Sequence, residues 1–101
     1  MKGNSTIIPK PLRDQVARLE DLPNVGRAIA EDLHTIGIHA PGDLIGEDPL
    51  AMYHRLNTRT GVRHDPCVAD AFMAIVDFMA GGPARPWWAF TAERKRRLEP
   101  R

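Results

Sequence analysis

The sequence predicts an all-α domain of about five or six short helices. Three observations carry that expectation. Apolar residues recur at spacings of three and four, the period-two alternation of a half-buried strand is absent, and prolines mark helix starts while glycines mark stops.

Leu12, Val16 and Leu19 stand at i, i+4 and i+7 and predict a helix over 12–20. Ile29, Leu33 and Ile36 repeat the spacing over 27–36, and Gly37 ends it. Pro41 opens a short helix over 41–45. Asp48-Pro49 opens the next, over 49–58, because aspartate accepts the orphan first-turn amides and proline has no amide to orphan. Met52, Tyr53 and Leu56 supply its apolar face, and Gly61 follows it. Asp65-Pro66 begins a helix over 66–80 with the strongest stripe in the chain: Val68, Phe72, Ile75, Val76 and Met79. Asp70 and Asp77, seven apart, read as solvent charges on its other face. Gly81-Gly82 stops it, and Pro86 opens a last helix over 87–97. Adjacent residues on a helix point about 100° apart. One of Trp87 and Trp88 is therefore expected to anchor this helix, and the other to be at least partly exposed. Residues 1–9 are expected to be flexible, 10–98 to form a single domain, and 99–101 to be a tail.

The chain has 101 residues, 43% apolar and 27% charged, enough for one core but not for a separate catalytic domain. No apolar run approaches the roughly 20 residues that span a bilayer, so no membrane partner is expected. The first residues lack the apolar stretch of a secretory signal. The lone Cys67 cannot form an internal disulfide, which suits a reducing, cytoplasmic setting. Charge is unevenly spread. Residues 1–18 and 85–101 are basic, whereas 19–84 hold four arginines against ten acids. An acidic body with basic ends differs from the usual basic footprint of a nucleic-acid binder.

The informative stretch is Leu22-Pro23-Asn24-Val25-Gly26-Arg27-Ala28-Ile29-Ala30, followed by Gly37-Ile38, the turn from Pro41 to Leu44, and Glu47-Asp48-Pro49. It resembles the tandem helix-hairpin-helix pattern of many DNA repair and recombination proteins, with a core like that of sterile-alpha-motif domains. In that pattern Val25 is the buried hairpin residue, Gly26 the second glycine, and Ala30 the small residue at a close helix crossing. A second, degenerate hairpin runs from Leu44 to Pro49. The resemblance implies that the backbone around Gly26, Arg27 and Ala28 offers amides to a DNA phosphate, a contact that positions without reading sequence. It also implies a monovalent cation held by the backbone carbonyls of Glu20, Leu22 and Val25. Asn24 departs from the pattern, which has glycine there. Asparagine tolerates the left-handed turn but adds a side chain where a phosphate approaches. Glu31 and Asp32 are acidic where lysine is common.

Over roughly residues 10–90, Thr60-Gly61-Val62-Arg63-His64-Asp65-Pro66-Cys67-Val68 and Pro86-Trp87-Trp88 resemble a narrower group. It is a small bacterial helix-hairpin-helix family labelled "pathogenicity locus" or, for some members, mitomycin resistance protein. That resemblance implies a fold more than a biochemical activity.

Other residues have the chemistry of candidate sites. His64, Cys67 and the remaining histidines, His34, His39 and His54, are zinc-ligand types, but the paired spacing of a zinc site is missing. The plainer reading makes Asp65 a cap and Cys67 a small hydrophobe. Trp87, Trp88 and Phe90 with the cluster Lys95, Arg96 and Arg97 could form a stacking platform beside phosphate contacts, or an anchor whose cations complement the helix C-terminus. The expectation is a non-enzymatic module without cofactor or metal centre that binds double-stranded DNA weakly. Asn24, Gly26, Arg27 and Ala28 would meet phosphate, with Lys95, Arg96 and Arg97 adding charge. The alternative is a protein-interaction or self-association module.

Overall fold

The computed structural model describes residues 16–98. Those residues form four α-helices and three 3-10 turns, without a strand: 3-10 turns at Leu19–Asp21, Pro41–Leu44 and Trp87–Phe90, and helices α1 (Arg27–Thr35), α2 (Pro49–Thr60), α3 (Cys67–Met79) and α4 (Thr91–Leu98). The all-α class is therefore as the periodicity predicts. The helix expected over 12–20 is irregular at 16 and 17 and tightens only at Leu19–Asp21, and its earlier part lies outside the described residues, as does the expected flexible start. The 41–45 helix is a single 3-10 turn, and the last helix begins as one. In the first two cases an aspartate within the turn caps its start. Asp21 Oδ2 accepts the Ala17 and Arg18 amides at 3.1 and 3.0 Å, and Asp43 Oδ2 accepts those of His39 and Ala40 at 3.0 and 3.1 Å. A side chain that satisfies the amides ahead of the turn competes with a longer helix.

α3 is the element on which the others pack. Its stripe residues Phe72, Ile75 and Met79 are buried, and so are Ala69, Asp70, Ala71, Met73 and Ala74. One side joins the main core of Leu22, Val25, Leu33, Leu44, Met52, Tyr53 and Leu56. The other packs Met73 and Ala74 against Phe90. The middle of α3 is covered on both sides, and this overturns the reading of Asp70 as a surface charge. Asp70 is fully buried. Its Oδ1 accepts from Arg94 Nε at 2.8 Å and its Oδ2 from the Thr91 hydroxyl at 2.7 Å. Asp77 stays half-exposed and pairs with Arg85 at 3.2 Å.

The anchor of the last helix also differs from expectation. Phe90 is the buried aromatic, while Trp87 is half-buried and Trp88 is 64% exposed. At the far end of α1, two arginines of α2 close the helix. Arg55 Nε donates to the Ile36 carbonyl at 3.2 Å and Arg59 Nη1 to that of Thr35 at 3.0 Å. Cations on the last carbonyls oppose the negative end of the helix dipole.

Candidate nucleic-acid interface

The same turn is built twice, displaced by 22 residues. Leu19 and Pro41 begin the two 3-10 turns, Asp21 and Asp43 brace them, and the buried Leu22 and Leu44 follow. Asn24 and Gly46 take left-handed conformations, with φ of 71° and 86°. Gly26 and Asp48 are then the N-cap residues of α1 and α2. The repeated Asp-Leu dipeptide, Asp21-Leu22 and Asp43-Leu44, is its trace in the sequence.

The two copies differ where a ligand would meet them. Asp48 Oδ1 accepts the Leu50 amide at 3.0 Å and the Ala51 amide at 3.5 Å, so the positive end of α2 already holds a carboxylate. Gly26 has no side chain to do this. The first bond of α1, from the Ala30 amide to the Gly26 carbonyl at 3.0 Å, leaves the amides of Arg27, Ala28 and Ile29 ahead of the ladder. Gly26, Arg27 and Ala28 are exposed, and a Cβ placed on Gly26 meets nothing within 4 Å. Val25 and Ala30 behind them are buried.

Asn24 does not stand over this end of α1. Its side chain turns to the C-terminal segment, where Nδ2 donates to the Arg85 carbonyl at 2.7 Å and Oδ1 accepts the Trp87 amide at 3.0 Å. Sequence reasoning missed this link, because 61 and 63 residues separate the partners.

The charges around the site are partly spent. Arg27 pairs with Glu31 one turn on at 3.4 Å, both well exposed. Burial pushes the Asp32 carboxyl above its usual range, with the charge of His64 acting against it. The basic cluster divides. Arg94 is buried on Asp70, and Arg97 lies 3.5 Å from Glu93 and 4.0 Å from Asp48. Lys95 and Arg96 are exposed and have no ion pair among the described residues. Arg97 thus sits by the start of α2, not by the open end of α1. Of the three carbonyls implied for a cation, that of Leu22 accepts the Val25 amide at 3.3 Å.

His64 and Cys67 do not form a couple. The His64 ring reaches Asn57 Oδ1 at 2.9 Å, and its carbonyl accepts the Tyr53 hydroxyl. Cys67 donates its amide to Asp65 Oδ1 at 2.8 Å. The hydrogen bond to Asp65, then burial and nearby carboxylates, push the Cys67 thiol up, the wrong direction for a nucleophile. His34 and His39 meet each other, Nδ1 to Nδ1 at 2.9 Å, away from His64. Among the described residues no three His, Cys, Asp or Glu side chains gather as a metal site, and no helix is long and apolar enough to cross a membrane. A cleft of about 570 Å³ is lined by Tyr53, His54, Asn57 and Arg63, among others, and neither His64 nor Cys67 lines it.

The family model described as "Pathogenicity locus" matches residues 12–96. A Streptomyces lavendulae protein named mitomycin resistance protein McrB is 46% identical over 80 residues, covering 79% of this chain and 76% of the relative. No solved structure matches.

Proposed function

The chain belongs to the pathogenicity-locus family, and on that footing we propose that it is a non-enzymatic, tandem helix-hairpin-helix module that grips the DNA backbone without reading sequence. The observation that carries the reading is the asymmetry between the two turns. One helix start is closed by Asp48 and the other, at Gly26, is left open and exposed. An anion there gains from the free amides of Arg27 and Ala28 and from the helix dipole. Contacts of this kind hold phosphate and carry no base information. The left-handed Asn24 supplies the turn while its side chain is engaged elsewhere, so the departure from glycine leaves the approach to Gly26 clear. The acidic body keeps affinity low, because phosphate neutralisation supplies most non-specific binding.

The absence of enzymatic activity belongs to the proposal. It is supported by the raised Cys67 thiol and by the engagement of His64 with Asn57. The mitomycin resistance named for the relative is carried over as part of the same reading.

An NMR titration of labelled protein with a short duplex, at low and moderate salt, tests it. Shifts centred on Gly26, Arg27 and Ala28 that weaken as salt rises are expected. No shifts there at low salt would return the turn to a scaffold role.

A further inference from the structure

Residues 87–98 run as one continuous helical segment, a 3-10 turn leading directly into α4. Its inward side is Trp87, Phe90, Thr91, Arg94 and Leu98, spaced three and four apart and all buried or half-buried. Its outward side begins with Trp88, which is 64% exposed. The edge-on contact with Trp87, centroids 5.5 Å apart, braces the exposed indole. Trp87 is itself held through its amide by Asn24.

From Trp88 the outward side continues through Ala92 to Lys95, at i+4 and i+7, with Arg96 adjoining. Between them the exposed Ala89 and Ala92 carry only methyl side chains, and Glu93 pairs with Arg97. Seven residues of mixed 3-10 and α rise span about 11 Å. That is about three steps of a stacked nucleic-acid strand at roughly 3.4 Å each. Lys95 and Arg96 carry no ion pair among the described residues, whereas Arg94 and Arg97 do.

We infer that this face is a docking surface for single-stranded nucleic acid, with an unpaired base stacked on Trp88 and the strand's phosphates led toward Lys95 and Arg96. An exposed, braced indole offers a π-face that any unstacked base can use, and two exposed cations offer what a polyanion needs. The interior of a duplex withholds base faces, so this surface selects strands or flanks that are unpaired. The surface is separate from the open end of α1 and does not depend on it. The Asn24 link places the two at neighbouring positions on the molecule.

The test uses the full chain with oligodeoxyuridylate and oligouridylate of about a dozen nucleotides, which differ only at the 2′ position. Trp87→Phe makes Trp88 the sole tryptophan. Its emission is expected to be quenched by either strand, and the ratio of the two affinities reads the weight of the 2′-hydroxyl. Trp88→Ala should weaken strand binding roughly tenfold or more, with partial recovery in Trp88→Phe. Lys95→Gln and Arg96→Gln should each lower the salt slope of binding by about 0.7. Trp88→Ala should leave duplex binding unchanged, while Gly26→Asp does the reverse, so the two readings fail separately. Unchanged strand affinity in Trp88→Ala overturns the inference. So does a Trp88 emission that responds only to protein concentration, because the face would then cover a second copy of the chain.

Discussion

The side chain of Asn24 accepts the Trp87 amide at 3.0 Å, while its own backbone holds the left-handed turn that leads into α1. One residue thus shapes the first turn and ties it to the C-terminal segment. Asn24→Gly should keep the turn and lose both side-chain bonds, for about 1–2 kcal/mol of stability. Asn24→Ala should lose the same bonds and add about 1–2 kcal/mol of left-handed strain. Urea denaturation of the three proteins checks the order, and equal stability in all three would remove the link from the account.

Gly26→Asp reproduces at α1 the cap that Asp48 provides at α2. The site is open enough to accept it, and the extended backbone of Gly26 suits an aspartate. A change of only a few tenths of a kcal/mol in stability is expected. Duplex binding should be lost, since a carboxylate would occupy and repel at the same amides. Paired thermal melts and duplex titrations separate the two effects.

Breaking the buried Asp70–Arg94 pair should be the most damaging change in the last helix. Asp70→Asn or Arg94→Met alone should cost about 3–5 kcal/mol, because each removes one charge of a buried, hydrogen-bonded ion pair. Losses of that size are a large part of a small domain's stability. The double variant Asp70→Leu with Arg94→Met should recover much of the loss. Chemical denaturation of the double-mutant cycle measures this.

Backbone amides hold the Asp21 and Asp43 carboxyls below their usual range, and the Cys67 amide does the same for Asp65. A carboxyl lowered on folding stabilises the native state above the ordinary aspartate value of about 4. That contribution is lost as pH falls through the lowered native values. Melting temperature should therefore drop below about pH 4. Asp21→Asn and Asp43→Asn should each make the drop shallower, and an unchanged acid profile in both would contradict these assignments.

The Cys67 thiol, pushed up chiefly by Asp65, should alkylate more slowly at about pH 8 than a free cysteine. Asp65→Asn should speed the reaction. A wild-type rate above that of the free amino acid would reopen a catalytic reading.

Much of this molecule was legible in the chain. The three-and-four spacing of Leu33 with Ile36, of Met52 with Leu56, and of Phe72, Ile75 and Met79 marks α1 to α3, because burial of one helical stripe is a local pattern. Asp48-Pro49 marks the start of α2, and Gly61, with φ of 72°, marks its end, because caps act within one turn. The positions of Gly26, Arg27 and Ala28 at the start of a helix were legible for the same reason. Tertiary structure alone decided what lies around them. Asp70 reads as a solvent charge until a second layer, brought by Phe90 and Arg94, covers the back of α3. Asn24 reads as an obstacle until Trp87, 63 residues away, arrives to take its side chain. Local periodicity determines which residues share a face. Only the packed fold determines how many faces are covered and which polar groups meet there, because those pairings join segments that no short-range pattern connects.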